Sequence, residues 1–149
     1  GTSATTFSPG NTCLRAQVVT FLWRAAGEPR NFWTRSPFVD VKRTDYFYDA
    51  VIWAVENKIT SGTTATTFGA SLSCNRAQVV TFLWRAAGCP TPKSTNNPFK
   101  DVKNTDYFYE PVLWAVENGV TAGIDATHFG PNQNCNRAQV VTFMYRVFK

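Results

Sequence analysis

At 149 residues the chain suits one compact domain with a sizeable core, and an aromatic content of 15%, with five Trp and twelve Phe, excludes a disordered segment. Fifteen basic against ten acidic residues leave a charge of +5 and a pI near 9.2, a mild bias toward anionic partners. The basic residues are dispersed, so no nucleic-acid partner is expected, and polar residues interrupt every apolar run before the roughly 20 residues of a membrane span, so no membrane insertion is expected either.

The chain begins at Gly1 without a Met or a signal peptide, which suggests a processed or excised piece of something longer. A polar loop leads to a first helix over residues 15–26. The segment that opens this helix, Cys13-Leu14-Arg15-Ala16-Gln17-Val18-Val19-Thr20-Phe21, recurs from Cys74 and from Cys135, at intervals of 61 residues (74 − 13 and 135 − 74). Phe7, Phe68 and Phe129 keep the same interval. Self-similarity at a fixed period makes the repeat the unit of folding and of function. Gly1 aligns with Gly62, so residues 1–27 form only the second half of a repeat. Leu14 stands where the other copies have Asn, and a missing side-chain cap is expected there.

Pro-containing connectors, residues 28–37 and 89–98, separate this half-unit from two full units, residues 38–88 and 99–149. Each full unit opens on Phe-x-Asp-Val, at Phe38 and Phe99. A first helix, of type A, is predicted over Tyr46–Asn57 and Tyr107–Asn118, with residues 47, 48, 51, 52 and 55 on one apolar face. Gly119 suits the left-handed end of the later A helix, whereas Lys58 in the earlier one leaves that end less well specified. Polar loops over 60–73 and 121–134 follow, pinned by Phe68 and Phe129. The second helix, of type B, then starts with Asn75 and Gln78, or Asn136 and Gln139, spaced for a reciprocal capping box. The 149 residues thus hold three B helices and two A helices, and an A helix before Gly1 is the expected absentee.

Arg15, Arg76 and Arg137 occupy the first position of each B helix. Unpaired N–H groups and the positive dipole end lie there, and a planar fork of donors can grip a carboxylate with two bonds. The alternative is an internal pair with a nearby Asp or Glu that ties the copies together. Asp40 and Asp101 recur just ahead of helix A, where capping a turn or binding backbone N–H groups suits them better than catalysis. Glu56 and Glu117 are expected to be solvated or paired with a neighbouring copy. No copy offers a carboxylate pair spaced for glycoside hydrolysis, and no catalytic residue is assigned.

His128 is the one histidine, and its counterparts are Thr67 and Thr6, so neither a triad nor a metal site is expected. Cys13, Cys74 and Cys135 read as small buried hydrophobes, and Cys89, in a connector, could bridge to the cysteine of another copy. No cofactor or metal is implied. Trp53, Trp114, Tyr46 and Tyr107 are candidate aromatic stacking surfaces, although Trp53 and Trp114, like Trp23 and Trp84, should bury most of their surface between copies.

Phe-x-Asp-Val, an aromatic-rich helix, a loop closing on Phe129-Gly130-Pro131 and an Arg-Ala helix start together resemble the S-layer homology module, over nearly the whole chain. The resemblance implies an all-α, pseudo-threefold prism of tandem helix-loop-helix repeats. It implies a secreted, non-catalytic anchor on the bacterial cell surface that binds an acidic, pyruvylated secondary cell-wall polysaccharide in grooves between repeats. The arginines would face those grooves and contact the acidic sugar, with Gly62 and Gly123 letting backbone approach it. The family's Thr-Arg-Ala-Glu signature appears here as Leu14-Arg15-Ala16-Gln17, Asn75-Arg76-Ala77-Gln78 and Asn136-Arg137-Ala138-Gln139. Those replacements keep open a second reading, a protein-interaction module that has lost glycan recognition. The intact groove is expected between the two full copies, served by Arg76 or Arg137, while the position of the absent helix would be open or filled by another chain or an upstream segment.

Overall fold

A computed structural model describes residues 1–149. The fold is all-α, with α1 (Arg15–Ala25), α2 (Tyr48–Glu56), α3 (Arg76–Ala86), α4 (Tyr109–Glu117) and α5 (Arg137–Phe148). The B helices α1, α3 and α5 contact one another, and the A helices lie outside them, α2 on α1 and α4 on α3. No helix is long and apolar enough to cross a membrane.

The A helices begin two residues later than the apolar pattern predicts. Asp45 Oδ2 accepts the Lys42 N–H at 2.7 Å and Tyr48 N–H reaches Asp45 O, so Tyr46 and Phe47 belong to a tight turn. Asp106 closes the equivalent turn onto Lys103 at 2.7 Å. At the B-helix starts, Asn75 Oδ1 accepts the Gln78 N–H at 2.9 Å while Gln78 Oε1 accepts the Asn75 N–H at 3.1 Å. Asn136 and Gln139 repeat the exchange at 2.8 and 3.0 Å. Leu14 has no oxygen for its half of that exchange, but the other half survives, since Gln17 Oε1 accepts the Leu14 N–H at 3.1 Å.

The end of α2 is as well specified as that of α4, contrary to the expectation from Lys58. Lys58 adopts φ 58°, beside φ 65° at Gly119, and both helices close with the same pair of bonds. Lys58 N–H reaches Val55 O at 2.9 Å and Ile59 N–H reaches Ala54 O at 2.8 Å, with Ile59 buried behind them. The paired bonds and the buried Ile59 hold a lysine in a conformation that glycine adopts without strain.

The three copies meet in a ring. Cys13 N–H donates to Cys135 O, Cys74 N–H to Cys13 O and Cys135 N–H to Cys74 O, at 2.8–3.0 Å. Their side chains are fully enclosed, and burial pushes the thiols up to about 11, 12 and 11 for Cys13, Cys74 and Cys135. They are neutral core groups at neutral pH. Cys89 is free and exposed, so the bridge to another copy's cysteine does not form.

Each full unit also carries a carboxylate clamp. Asp40 accepts the N–H groups of Phe68 and Gly69, both at 2.8 Å, and Asp101 accepts those of Phe129 and Gly130, both at 2.8 Å. The clamp fastens the start of the unit to its loop across 28 residues, and so positions the phenylalanine on which the arginine of the preceding copy rests.

The helix pairs leave one face open. Val19 and Val80 are fully buried under α2 and α4, whereas the counterpart Val141 on α5 is 39% exposed and the neighbouring Tyr145 is 69% exposed.

Desolvation opposes ionisation of Asp40, but the N–H groups of Phe68 and Gly69, with the Arg15 charge, outweigh it and hold the carboxyl below its ordinary value. A folded-state pKa below the unfolded one stabilises the protein above about pH 4, and this contribution is lost as pH falls from there through the folded value. Urea unfolding of Asp40→Asn should therefore show a shallower loss of stability below about pH 4 than the wild type. Lys58→Gly should raise the unfolding free energy by about 0.5–1 kcal/mol in the same measurement at pH 7.

Candidate functional site

Each B-helix arginine crosses to the loop of the following copy and turns inward. Arg15, Arg76 and Arg137 are 3%, 5% and 3% exposed. Their Nε atoms donate to Phe68 O, Phe129 O and Phe7 O at 3.0, 2.9 and 2.9 Å. Each guanidinium lies between two rings: Arg15 is 5.0 Å from Phe68 and 5.3 Å from Phe82. Arg76 sits 4.7 Å from Phe129 and 5.7 Å from Phe143, and Arg137 sits 4.7 Å from Phe7 and 5.1 Å from Phe21. None is in an ion pair; the two in the chain are Arg24 with Glu28 and His128 with Asp125. Burial lowers the pKa of Arg15 and Arg76, partly offset by nearby groups such as Asp40 and Asp101 respectively.

The helix starts are not open anion seats. The N–H groups of Arg15 and Ala16 donate to Leu72 O and Ala70 O, those of Arg76 and Ala77 to Gln133 O and Pro131 O, and those of Arg137 and Ala138 to Asn11 O and Pro9 O. Loop carbonyls of the next copy take up the donors that a free helix terminus would offer to an anion.

What differs among the arginines is the donor left over. Arg76 Nη2 reaches Ala122 O at 2.9 Å and Thr121 Oγ1 at 3.4 Å. Arg15 Nη2 is buried without a partner. Beside it lies a cleft of about 320 Å³ formed by loop residues 60–63, by Gln78, Phe82 and Arg85 of α3, and by Tyr107. The cleft between the two full copies is therefore served by Arg15, not by Arg76 or Arg137 as the sequence led us to expect. The physical reason is direction: each arginine reaches forward, so a cleft built on the second copy's loop is completed by the arginine of the first.

The other candidates separate by exposure. Trp53 and Trp114 are 8% and 6% exposed and pack in the core, so neither presents a face to a sugar. Tyr46 and Tyr107 are exposed, each propped edge-on against the next residue, Phe47 or Phe108, at 5.1 and 5.0 Å. Tyr107 faces the Arg15 cleft. Gly62 also lines it, with φ 88°, and a Cβ there would come 2.5 Å from both Phe38 Cε1 and Thr67 O. Added to Gly123, it would meet Asp125 O, His128 O and Phe99 Cε1. Internal crowding thus requires both glycines before any ligand does.

Arg85 was missed. It recurs with Arg24 and Arg146 at the same period, a signal as strong as that of Arg76. Its Nη1 donates to Ile59 O at 3.1 Å, which leaves its remaining donors at the cleft. His128 lies on an exposed loop, 3.1 Å from Asp125. Glu56 and Glu117 hold connectors, accepting the N–H groups of Trp33 and Lys93.

The S-layer homology domain model matches residues 37–80 and 98–141. An endoglucanase of Bacillus sp. (strain KSM-635) is 34% identical over 113 residues, 76% of this chain and 12% of its own length. A cell surface protein of Thermoanaerobacter kivui is 30% identical over 137 residues, 89% of this chain and 18% of its own. A surface-layer 125 kDa protein of Lysinibacillus sphaericus is 28% identical over 108 residues, 72% of this chain and 9% of its own. The chain thus spans less than a fifth of each of these relatives.

Loss of Arg76 removes three bonds, to Phe129 O, Ala122 O and Thr121 Oγ1, although Ala122 O keeps the Thr121 hydroxyl as a donor, whereas loss of Arg15 removes the one bond to Phe68 O. Thermal or urea melts should show Arg76→Ala destabilised by about 3 kcal/mol, and Arg15→Ala by about 1 kcal/mol less.

Proposed function

This chain belongs to the S-layer homology family, and from that premise we propose that it binds an acidic, pyruvylated secondary cell-wall polysaccharide in the cleft beside Arg15. The coarser role is non-catalytic and associated with the bacterial cell surface or wall. The observation that carries the finer reading is the unpartnered Nη2 of Arg15, buried at a cleft of ligand size, about 320 Å³. A buried donor left without an acceptor is unfavourable, and a ligand carboxylate supplies the acceptor. Arg85 adds a second cation, and Tyr107 offers a half-solvated ring against which the C–H face of a sugar packs.

The three copies are proposed to stand as a pseudo-threefold prism. Support comes from the cyclic cysteine bonds and from the arginine links, the last of which runs from Arg137 back to Phe7. The open face of α5 is proposed to take a helix like α2 or α4, supplied by another chain or an upstream segment. The alternative, a protein-interaction module without glycan recognition, draws on the Gln that replaces Glu in the family signature.

Binding to purified pyruvylated wall polysaccharide, measured before and after mild acid removes the ketals, tests the reading. Stripping should abolish binding, and Arg85→Ala and Tyr107→Ala should each weaken it about tenfold, with thermal melts near wild type for Tyr107→Ala and a loss of about 1 kcal/mol for Arg85→Ala, which leaves Ile59 O without its donor. Equal binding to stripped and intact polymer would remove the acidic-sugar reading, and no binding to either would favour the protein-interaction one.

A further inference from the structure

We propose that the Arg15 cleft is one end of a trench that continues past Trp33 and takes an extended acidic saccharide rather than a single terminal sugar. This deepens the binding reading above and rests on it. Two further clefts follow, each sharing wall residues with the one before. The first, about 410 Å³, shares Thr60, Ser61 and Arg85 with the Arg15 cleft. The second, about 460 Å³, shares Trp33 with the first. Each neighbouring pair is thus joined through common walls, and Trp33 is the partition between the outer two.

The trench alternates two kinds of lining. Phe38 and Val55, then Trp23 and Tyr48, provide apolar and aromatic surface. Lys58 and Arg85 in the middle cleft, and Arg30 and Arg43 in the outer one, provide cations free of ion pairs, although Glu28 and Asp49 also line the outer cleft. Asn31 lines the outer cleft with its Oδ1 buried and unpaired, an acceptor that suits a sugar hydroxyl. Packing faces for ring C–H groups, interleaved with donors for carboxylates, is what a polymer of acidic sugars requires.

Trp33 is held for such a task. It is 49% exposed, yet its N–H donates to the Glu56 carboxylate, and Tyr48 Oη donates to the adjoining Thr34 O at 3.2 Å. The later connector is tethered in the same way, by Glu117 and Tyr109, but the residue whose N–H meets Glu117 is Lys93. Only the earlier connector therefore places an aromatic partition beside a cleft.

Oligosaccharides released from the pyruvylated wall polysaccharide and fractionated by length provide the probe, with dissociation constants read by calorimetry. For the wild type, affinity should rise with length. Trp33→Ala should bind the shortest active fraction unchanged and the longest about tenfold more weakly, and Trp33→Phe should restore most of the loss. Length-independent wild-type affinity, or a Trp33→Ala profile like the wild type, overturns the trench even if Arg85→Ala still weakens binding. A Trp33→Ala loss equal at every length overturns it too. Failure of every fraction to bind the wild type removes the saccharide reading itself.

Discussion

A guanidinium laid between two phenylalanine rings, with its Nε on the carbonyl of one of them, is the joint on which this molecule depends. It occurs three times, and each time the arginine belongs to one copy and the carbonyl to the next. A charge at most 5% exposed is expensive to desolvate, and here the cost is offset without an ion pair, with Asp40 and Asp101 acting on Arg15 and Arg76 only from a distance. The ring faces supply negative quadrupole and the carbonyls supply directed acceptors. A planar, always-charged fork can meet both demands at once, which a lysine ammonium cannot.

The same joints use up what would otherwise be binding capacity. Loop carbonyls satisfy the first N–H groups of every B helix, and Arg76 spends its Nε and Nη2 on the third copy's loop. Recognition is left to whatever the joints do not consume. At Arg15 that is one Nη2, set beside a cleft to which two copies contribute walls and a third contributes the arginine. The Asp40 and Asp101 clamps belong to this arrangement, since they fix the backbone on either side of the carbonyls that Arg15 and Arg76 meet.

Departures from strict repetition give the copies separate characters. Leu14 weakens one cap, Arg24 pairs with Glu28 where Arg85 faces a cleft, and Trp33 stands in one connector and not the other. The repeat supplies the frame, and those few positions supply asymmetry within it.

The period of 61, the five helices, the capping boxes at Asn75 and Asn136 and the buried cysteines could be read from the chain, because each rests on local periodicity, hydrogen-bonding reach or hydrophobicity. The A-helix starts were misplaced by two residues because Asp45 and Asp106 compete locally for the backbone. Tertiary structure alone decided that each arginine reaches forward into the next copy, that Trp53 and Trp114 are enclosed while Tyr107 is not, and that Arg15 keeps a spare donor. A sequence pattern states which face of a helix is apolar; which neighbour covers that face, and which donors find acceptors there, depends on how the three copies close on one another in space.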